Sequence, residues 1–394
     1  MTSQPNGDAA SERIAPIDGI RGLAILVVLI HNPASILSGG DSVALKLVET
    51  VTGAGWTGVQ LFFVLSGFLI TGILVDALGT PTFFRTFYVR RTLRIFPLYY
   101  AFLVCAFFLV PLVGASPEWR ASAHANQWWF WTYLANWADP YGRGISGLSH
   151  FWSLAVEEQF YLVWPWIVFA TSRKSLVRLC IVVIAATPFI RVALNLAGFP
   201  PFAASEFTIA RWDGLAAGAL IALLVRDEGG RLWLRRWTGP IMTVAVLSAM
   251  TFLAVNRGFN EGDHPVQVVG QTLAIVLSAC LICTVVNSTS TAAGVVTRFF
   301  SSAWLRFLGR YSYAMYVFHW PIHVLLLPHV VDLVNRGGTV ERLARLAAYL
   351  AAVAALSIVA ALISWRVLEQ PMLRLKDRLA PRTHVRTPPS PQAV

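Results

Sequence analysis

Stretches of mostly apolar residues, each about the 20-residue length that carries a helix across the hydrocarbon core of a bilayer, recur along this chain from end to end. They lie at 17–36, 57–78, 95–114, 151–170, 177–197, 208–225, 239–256, 265–287, 311–333 and 343–366. Backbone groups in lipid must be satisfied internally, which a helix does within one segment. The expected fold class is therefore all-α: an integral membrane, polytopic bundle of about ten transmembrane helices. Composition agrees, because the chain is 56% hydrophobic and 13% charged, whereas soluble domains carry about 25% charged residues. An aromatic piece, "QWWFWTYLANW" at 127–137, is too short to span. It reads as a short interfacial or re-entrant helix, because Trp and Tyr favour the headgroup level.

Ten spans place both termini on one side. Most of the 31 Lys and Arg residues fall in the tails and loops of that side, so the positive-inside rule puts both termini in the cytoplasm. Residues 1–13 and the Pro-rich 373–394 are expected as disordered cytoplasmic tails. The first residues lack the basic-then-apolar layout of a cleavable signal, so the first span should be retained. The net charge of +11 sits in short loops between spans, not on a soluble face, and no nucleic-acid partner is expected; the lipid bilayer is the surrounding partner. Cys105, Cys180, Cys280 and Cys283 all lie in apolar runs, and the "CLIC" spacing reads as buried small hydrophobes, not as a redox or zinc site. No phosphate loop, HExxH or GxSxG elbow is present. A metal at "GDH" (262–264) would rest on little, and none is expected.

Ionisable groups inside spans cost about 2.5–3.5 kcal/mol each on insertion scales and usually face a cavity. Here they are Asp18, Arg21 and His31 in the first span, Arg91 and Arg94 entering the third, and Glu157 and Glu158 in the fourth. Arg211 and Asp213 follow in the sixth, His319 and His323 in the ninth. Arg90, Arg91 and Arg94 crowd one and a half turns, and like charges at that spacing repel by about 0.2–0.5 kcal/mol per pair. Either they anchor topology or an anionic ligand screens them. His31 lies ten residues beyond Arg21, about 15 Å deeper, as an interfacial cap or a titratable group in a cavity. Glu157 and Glu158 point about 100° apart on a helix, which selects one as inward-facing; Glu157, with Trp152, Ser153 and Tyr161 nearby, is the choice. Glycines at 53, 55, 58, 67 and 72 suit close helix packing, which does not explain Gln60 and Ser66. His319 precedes Trp320 and Pro321, where a kink is expected, and either satisfies that kink or lines a cavity beside Tyr316.

Five blocks in order resemble the acyltransferase-3 membrane family: "IDGIRGLAILVVLIH" (17–31), "GWTGVQLFFVLSGFLITGIL" (55–74), "FYVRRTLRIFPLYY" (87–100), "HFWSLAVEEQFYLVWP" (150–165) and "FLGRYSYAMYVFHWP" (307–321). "VLEQPMLRL" resembles the closing segment, so the acyltransferase-3 transmembrane domain is expected over 14–372. The resemblance implies a multi-pass O-acetyltransferase of the bacterial cytoplasmic (inner) membrane. Its donor would be acetyl-CoA or another acyl-CoA, and its acceptor a hydroxyl of a surface glycan, exopolysaccharide or lipid-linked sugar. It makes His31 the catalytic base and Glu157 a second catalytic residue that orients the imidazole or binds the acceptor. Arg21, Arg91 and Arg94 would bind coenzyme A. Asp18, Ser66, Trp152, Ser153, Tyr316 and His319 are expected in support, with Ser153 or Tyr316 at the oxyanion. The family pattern places ten residues between the first-span Arg and His; here nine intervene. Two other readings stay open at this point: a small secondary metabolite such as a macrolide as acceptor, and a proton-coupled transporter using the buried Glu and His groups.

Overall fold

Each of the ten apolar runs folds mainly as helix, and no strand occurs among the described residues. The computed structural model describes residues 8–34, 36–37, 42–256, 258–287 and 291–379. In chain order the first helices are α1 (Asp8–Ala34), α2 (Val43–Gly53), α3 (Thr57–Ala77), α4 (Phe83–Val104), α5 (Pro117–Trp131), α6 (Phe151–Ala170) and α7 (Arg173–Leu196). They are followed by α8 (Trp212–Leu224), α9 (Glu228–Asn256), α10 (Gln271–Val286), α11 (Thr291–Phe300), α12 (Ala303–Asn335), α13 (Thr339–Ser364) and α14 (Gln370–Leu379).

Among the described residues, seven helical stretches are long and apolar enough to cross a membrane: Val43–Ala77, Phe83–Val113, Arg173–Leu196, Glu228–Asn256, Val266–Val286, Ala303–Asn335 and Thr339–Lys376. The protein is a multi-pass membrane protein. The other three expected spans are α1, α6 and α8. At 13 residues, α8 reaches about 20 Å, short of the roughly 30 Å hydrocarbon core. Three consecutive polar residues, Glu157, Glu158 and Gln159, sit in α6, and α1 carries Asp18, Arg21 and His31. Intramembrane polar groups are not confined to these three helices, since α4 carries Arg91 and Arg94 and α12 carries His319 and His323. The aromatic piece at 127–137 is two helical segments. After α5 the chain turns through Tyr133, at φ 55°, into the single turn Ala135–Ala138. At the ends, residues 8–13 belong to α1 and 373–379 to α14; the remaining expected tails lie outside the described residues.

Close approach of helices is set by glycine. A methyl on Gly58 would sit 2.6 Å from the Ala24 carbonyl oxygen and 2.9 Å from Val28 Cγ2, so α3 and α1 touch through backbone. Gly67 and Gly218 do the same between α3 and α8, where an added methyl would overlap the Leu215 and Val64 carbonyls. Gly22 and Gly309 seat α1 on α12 against the Leu305 and Asp18 carbonyls. Backbone contact of this kind lets helices pack where no hydrophobic drive separates protein from lipid tails. A buried ion pair pins α7 to α8. Arg191 donates to both oxygens of Asp213 at 2.8 and 2.7 Å, with both side chains almost fully enclosed. Its companion from the sequence, Arg211, turns away to Glu261 at 3.0 Å.

Candidate active site

Two cavities meet inside the bundle, and Val59 and Tyr316 line both. The first, of about 430 Å³, opens on His31, Trp152, His150 and Trp320. The second, of about 100 Å³, opens on Arg21, Arg91, Arg94, Ser66, Glu157 and Glu158. They are called here the histidine chamber and the arginine chamber.

His31 stands in the last turn of α1. Its Nδ1 lies 2.7 Å from the carbonyl oxygen of Thr52 at the end of α2. A carbonyl only accepts, so the proton of a neutral imidazole resides on Nδ1 and the lone pair on Nε2. Gly55 makes the contact sterically feasible, since a methyl there would overlap His31 Cβ and come within 2.8 Å of the Val27 carbonyl. The group that orients the imidazole is therefore the Thr52 carbonyl, whereas Glu157 lines the other chamber. The nine-residue spacing from Arg21 leaves α1 an unbroken α-helix, with Arg21 at one chamber and His31 at the other.

In the arginine chamber each carboxylate oxygen of Glu157 accepts one bond. Ser66 Oγ donates to Oε1 at 2.9 Å and Tyr161 OH to Oε2 at 2.8 Å. The Arg91 guanidinium lies over the Tyr161 ring, 3.9 Å from its centroid, and its buried Nε has no hydrogen-bond partner. Arg94, one turn on, is exposed. Arg21 is bonded to Asp18 at 3.1 Å, which makes Asp18 a support for Arg21 outside the chamber lining. Both Glu157 and Glu158 reach this chamber, contrary to the expectation that one would turn away. The cavity is bounded by α1, α3, α4 and α12 as well as α6, and so spans both side-chain directions.

At the junction, Ser153 Oγ and Tyr316 OH are 2.5 Å apart, and Tyr316 also donates to the His150 carbonyl at 3.0 Å. His319 lines neither chamber. It is buried behind the junction, with Nδ1 2.7 Å from the Tyr316 carbonyl and its ring 5.3 Å from that of His150. The carbonyl that Pro321 leaves without its helical N–H partner is that of Val317, which His150 Nε2 meets at 3.2 Å, and Trp320, next to His319, reaches the cavity instead. Of the residues singled out from sequence, the fold brings Arg21, Ser66, Arg91, Arg94, Glu157, Ser153 and Tyr316 to one chamber and His31, Trp152 and Tyr316 to the other.

Sequence reasoning missed His150, Asp139, Glu206 and Glu261, all lining the histidine chamber. The last three lie between spans, where acids carry no insertion cost and give no signal. Burial pushes the Asp139 carboxyl up to about 6. It raises Glu206 well above the ordinary range, reinforced by the neighbouring Asp139 and Glu261 charges and opposed by Arg211.

Residues 14–365 match the family described as Acyltransferase domain. The peptidoglycan O-acetyltransferase OatA of Listeria monocytogenes is 26% identical over 330 residues, covering 80% of this chain and 50% of the relative. The putative peptidoglycan O-acetyltransferase YrhL of Bacillus subtilis is 30% identical over 339 residues, covering 80% and 49%. The O-acetyltransferase OatA of Staphylococcus aureus is 25% identical over 351 residues, covering 82% and 53%. The chain spans about half the length of these relatives. No solved structure matches it.

Proposed function

The chain belongs to the acyltransferase-3 family, and from that premise we infer that it is a membrane O-acetyltransferase moving an acetyl group from acetyl-CoA to a hydroxyl of a cell-surface glycan or lipid-linked sugar. The observation that carries this reading is the His31 imidazole. Its Nδ1 is committed to the Thr52 carbonyl, its Nε2 is left basic, and its chamber adjoins at Tyr316 a second one lined by three arginines.

Coenzyme A is polyanionic, and guanidinium groups meet phosphate through paired N–H donors. Arg91 supports this assignment with a buried, unpartnered Nε, and Arg94 and Arg21 stand on the same chamber. The arginine side, by the positive-inside count, faces the cytoplasm, with both termini. In the reaction, His31 Nε2 takes the proton of the acceptor hydroxyl as its oxygen bonds to the thioester carbonyl carbon. The carbonyl oxygen gathers negative charge next to Ser153 Oγ and Tyr316 OH, whose protons can turn toward it. Collapse breaks the carbon–sulfur bond, and the imidazolium returns its proton to the departing thiolate. Glu157, held by Ser66 and Tyr161, offsets the local arginine charge and fixes the floor of the donor chamber.

Labelled acetyl-CoA supplied to membranes holding this chain or its His31→Ala form, with extracted surface glycans, tests the reading. Label should enter glycan only with His31 intact. Equal transfer by both forms would remove His31 from the chemistry, and a wild-type chain that neither binds coenzyme A nor transfers acetyl would sink the enzyme reading in favour of transport.

A further inference from the structure

Arg211 is fully buried, and the transfer chemistry does not use it. Its Nη2 donates to Glu261 at 3.0 Å, while Nε and Nη1 have no hydrogen-bond partner among the described residues. Two aromatic rings face the guanidinium instead. Its Cζ lies 4.6 Å from the centroid of the Trp152 ring and 5.6 Å from that of Phe63. Both rings belong to the partition between the chambers. Trp152, on α6, lines the histidine chamber, and Phe63, on α3, lines the arginine chamber. They meet edge to face, with centroids 6.0 Å apart and planes at 85°. Arg211 therefore stands behind the partition and touches a wall of each chamber. Through Glu261 it also holds a third lining residue, from the loop between α9 and α10.

The fold fixes the place from which Arg211 projects. Arg211 follows the short turn Thr208–Ala210 and precedes α8. Arg191 of α7 donates Nε to the Ala210 carbonyl at 2.9 Å and Nη2 to both oxygens of Asp213, so it grips the chain on either side of Arg211. The Thr208 hydroxyl donates to the Gln159 side chain on α6 and accepts from Asn136 at 2.9 Å. The Trp152 ring has no such constraint on its cavity side. It is only partly buried, because it borders about 430 Å³ of open space. A side chain beside open space has other staggered rotamers within reach. A ring that swings into the cavity narrows the approach to His31 and moves the wall next to Ser153. A desolvated cation over an indole favours the seated ring by about thirtyfold. The ion pair with Glu261 asks only for charge, which lysine supplies equally; the flat guanidinium against two rings is what lysine lacks.

We propose that Arg211 is a positioning residue for the transfer reaction, a buried cation that clamps Trp152 in place and so keeps the histidine chamber open beside His31. This rests on the reading of the chain as an O-acetyltransferase and adds to it a residue that touches neither substrate.

The full chain in detergent micelles carries the test, with Arg211→Lys as the variant. Steady-state transfer from labelled acetyl-CoA to titrated extracted surface glycans should show the acceptor KM raised at least about tenfold, with the donor KM within about twofold of wild type. In a Trp152→Leu background the same substitution should cost no more than about twofold in kcat/KM, because the ring it acts through is gone. An arginine that only supports the fold would lose the same factor in both backgrounds. A second readout needs no turnover and follows Trp152 itself. In protein labelled with 5-fluorotryptophan, the fluorine resonance missing from Trp152→Phe, one among 15 tryptophans, belongs to Trp152, and Arg211→Lys should shift or broaden it. Phe63→Leu removes the second ring and no charge. It should raise the acceptor KM about threefold or more and move the same resonance, and it carries the test if Arg211→Lys does not fold. An unchanged acceptor KM, equal losses in both backgrounds, or an unmoved Trp152 resonance would each overturn the clamp. With an active wild type, any of these sinks the clamp alone; a wild-type chain that neither binds coenzyme A nor transfers acetyl sinks the enzyme reading and the role in transfer with it.

Discussion

Gly55→Ala should uncouple folding from chemistry. A methyl on Gly55 would overlap His31 Cβ and lie 2.8 Å from the Val27 carbonyl oxygen. Ordinary contact requires about 3.5–4.0 Å, so α1 must move from the start of α3 by about an ångström. The 2.7 Å bond from His31 Nδ1 to the Thr52 carbonyl is the contact most exposed to that shift, because Thr52 lies three residues before Gly55. Overpacking of this kind costs about 1–3 kcal/mol of stability, and a 1 Å misplacement of a catalytic group costs about 100-fold in rate. The assay is acetyl transfer from labelled acetyl-CoA in purified, monodisperse protein, normalised to folded protein, beside thermal unfolding. Gly230→Ala is the comparison, since its methyl would lie 2.5 Å from the Leu224 carbonyl, on α9 and away from both chambers. Both variants should lose stability, and Gly55→Ala alone should lose about two orders of magnitude in kcat/KM with donor binding retained. If Gly55→Ala transfers acetyl at the wild-type rate while its melting temperature falls, the Thr52 carbonyl does not position the base, and the reasoning fails.

Arg91→Lys should raise the donor KM about tenfold, because lysine keeps the charge but loses the planar fork and its seat on Tyr161; a donor KM unchanged in steady-state kinetics would remove Arg91 from coenzyme A binding. Ser66→Ala deletes one of the two bonds to Glu157, and bonds to charged groups are worth about 1.5–3 kcal/mol; transfer should fall about tenfold or more, with Tyr161→Phe behaving alike. Arg191→Met strands Asp213 in the interior and should cost about 3–5 kcal/mol in unfolding, whereas Arg191→Met with Asp213→Leu should recover most of it. A double variant no more stable than the single would show that the pair does not act as a unit.

The physics behind each legible feature is local. Runs of apolar residues force helices wherever they occur, and each of the ten runs is helical. Arg21, His31, Arg91, Arg94 and Glu157 were conspicuous because an ionisable group within an apolar run is costly anywhere in it, and all five line the two chambers. Arg191 meets the same criterion, since it lies within the expected span 177–197; what its own segment does not reveal is its carboxylate partner, Asp213, 22 residues on. His319, next to the kink-prone Pro321, looked equally suited to a wall or to a bond, and only its 2.7 Å contact with the Tyr316 carbonyl places it behind the wall.

By itself the sequence determined the helical, membrane-embedded class and most of the residues that carry charge into the bundle, because hydropathy and insertion cost are properties of a segment. Tertiary structure alone decided which of those residues meet. It set His31 against a carbonyl 21 residues away, opened one chamber to both Glu157 and Glu158, and divided arginines from histidine at the Ser153–Tyr316 contact. It also drew Asp139, Glu206 and Glu261 from three loops onto a single wall. An acid in a loop costs nothing until the fold buries it, so no property of its own segment announces it.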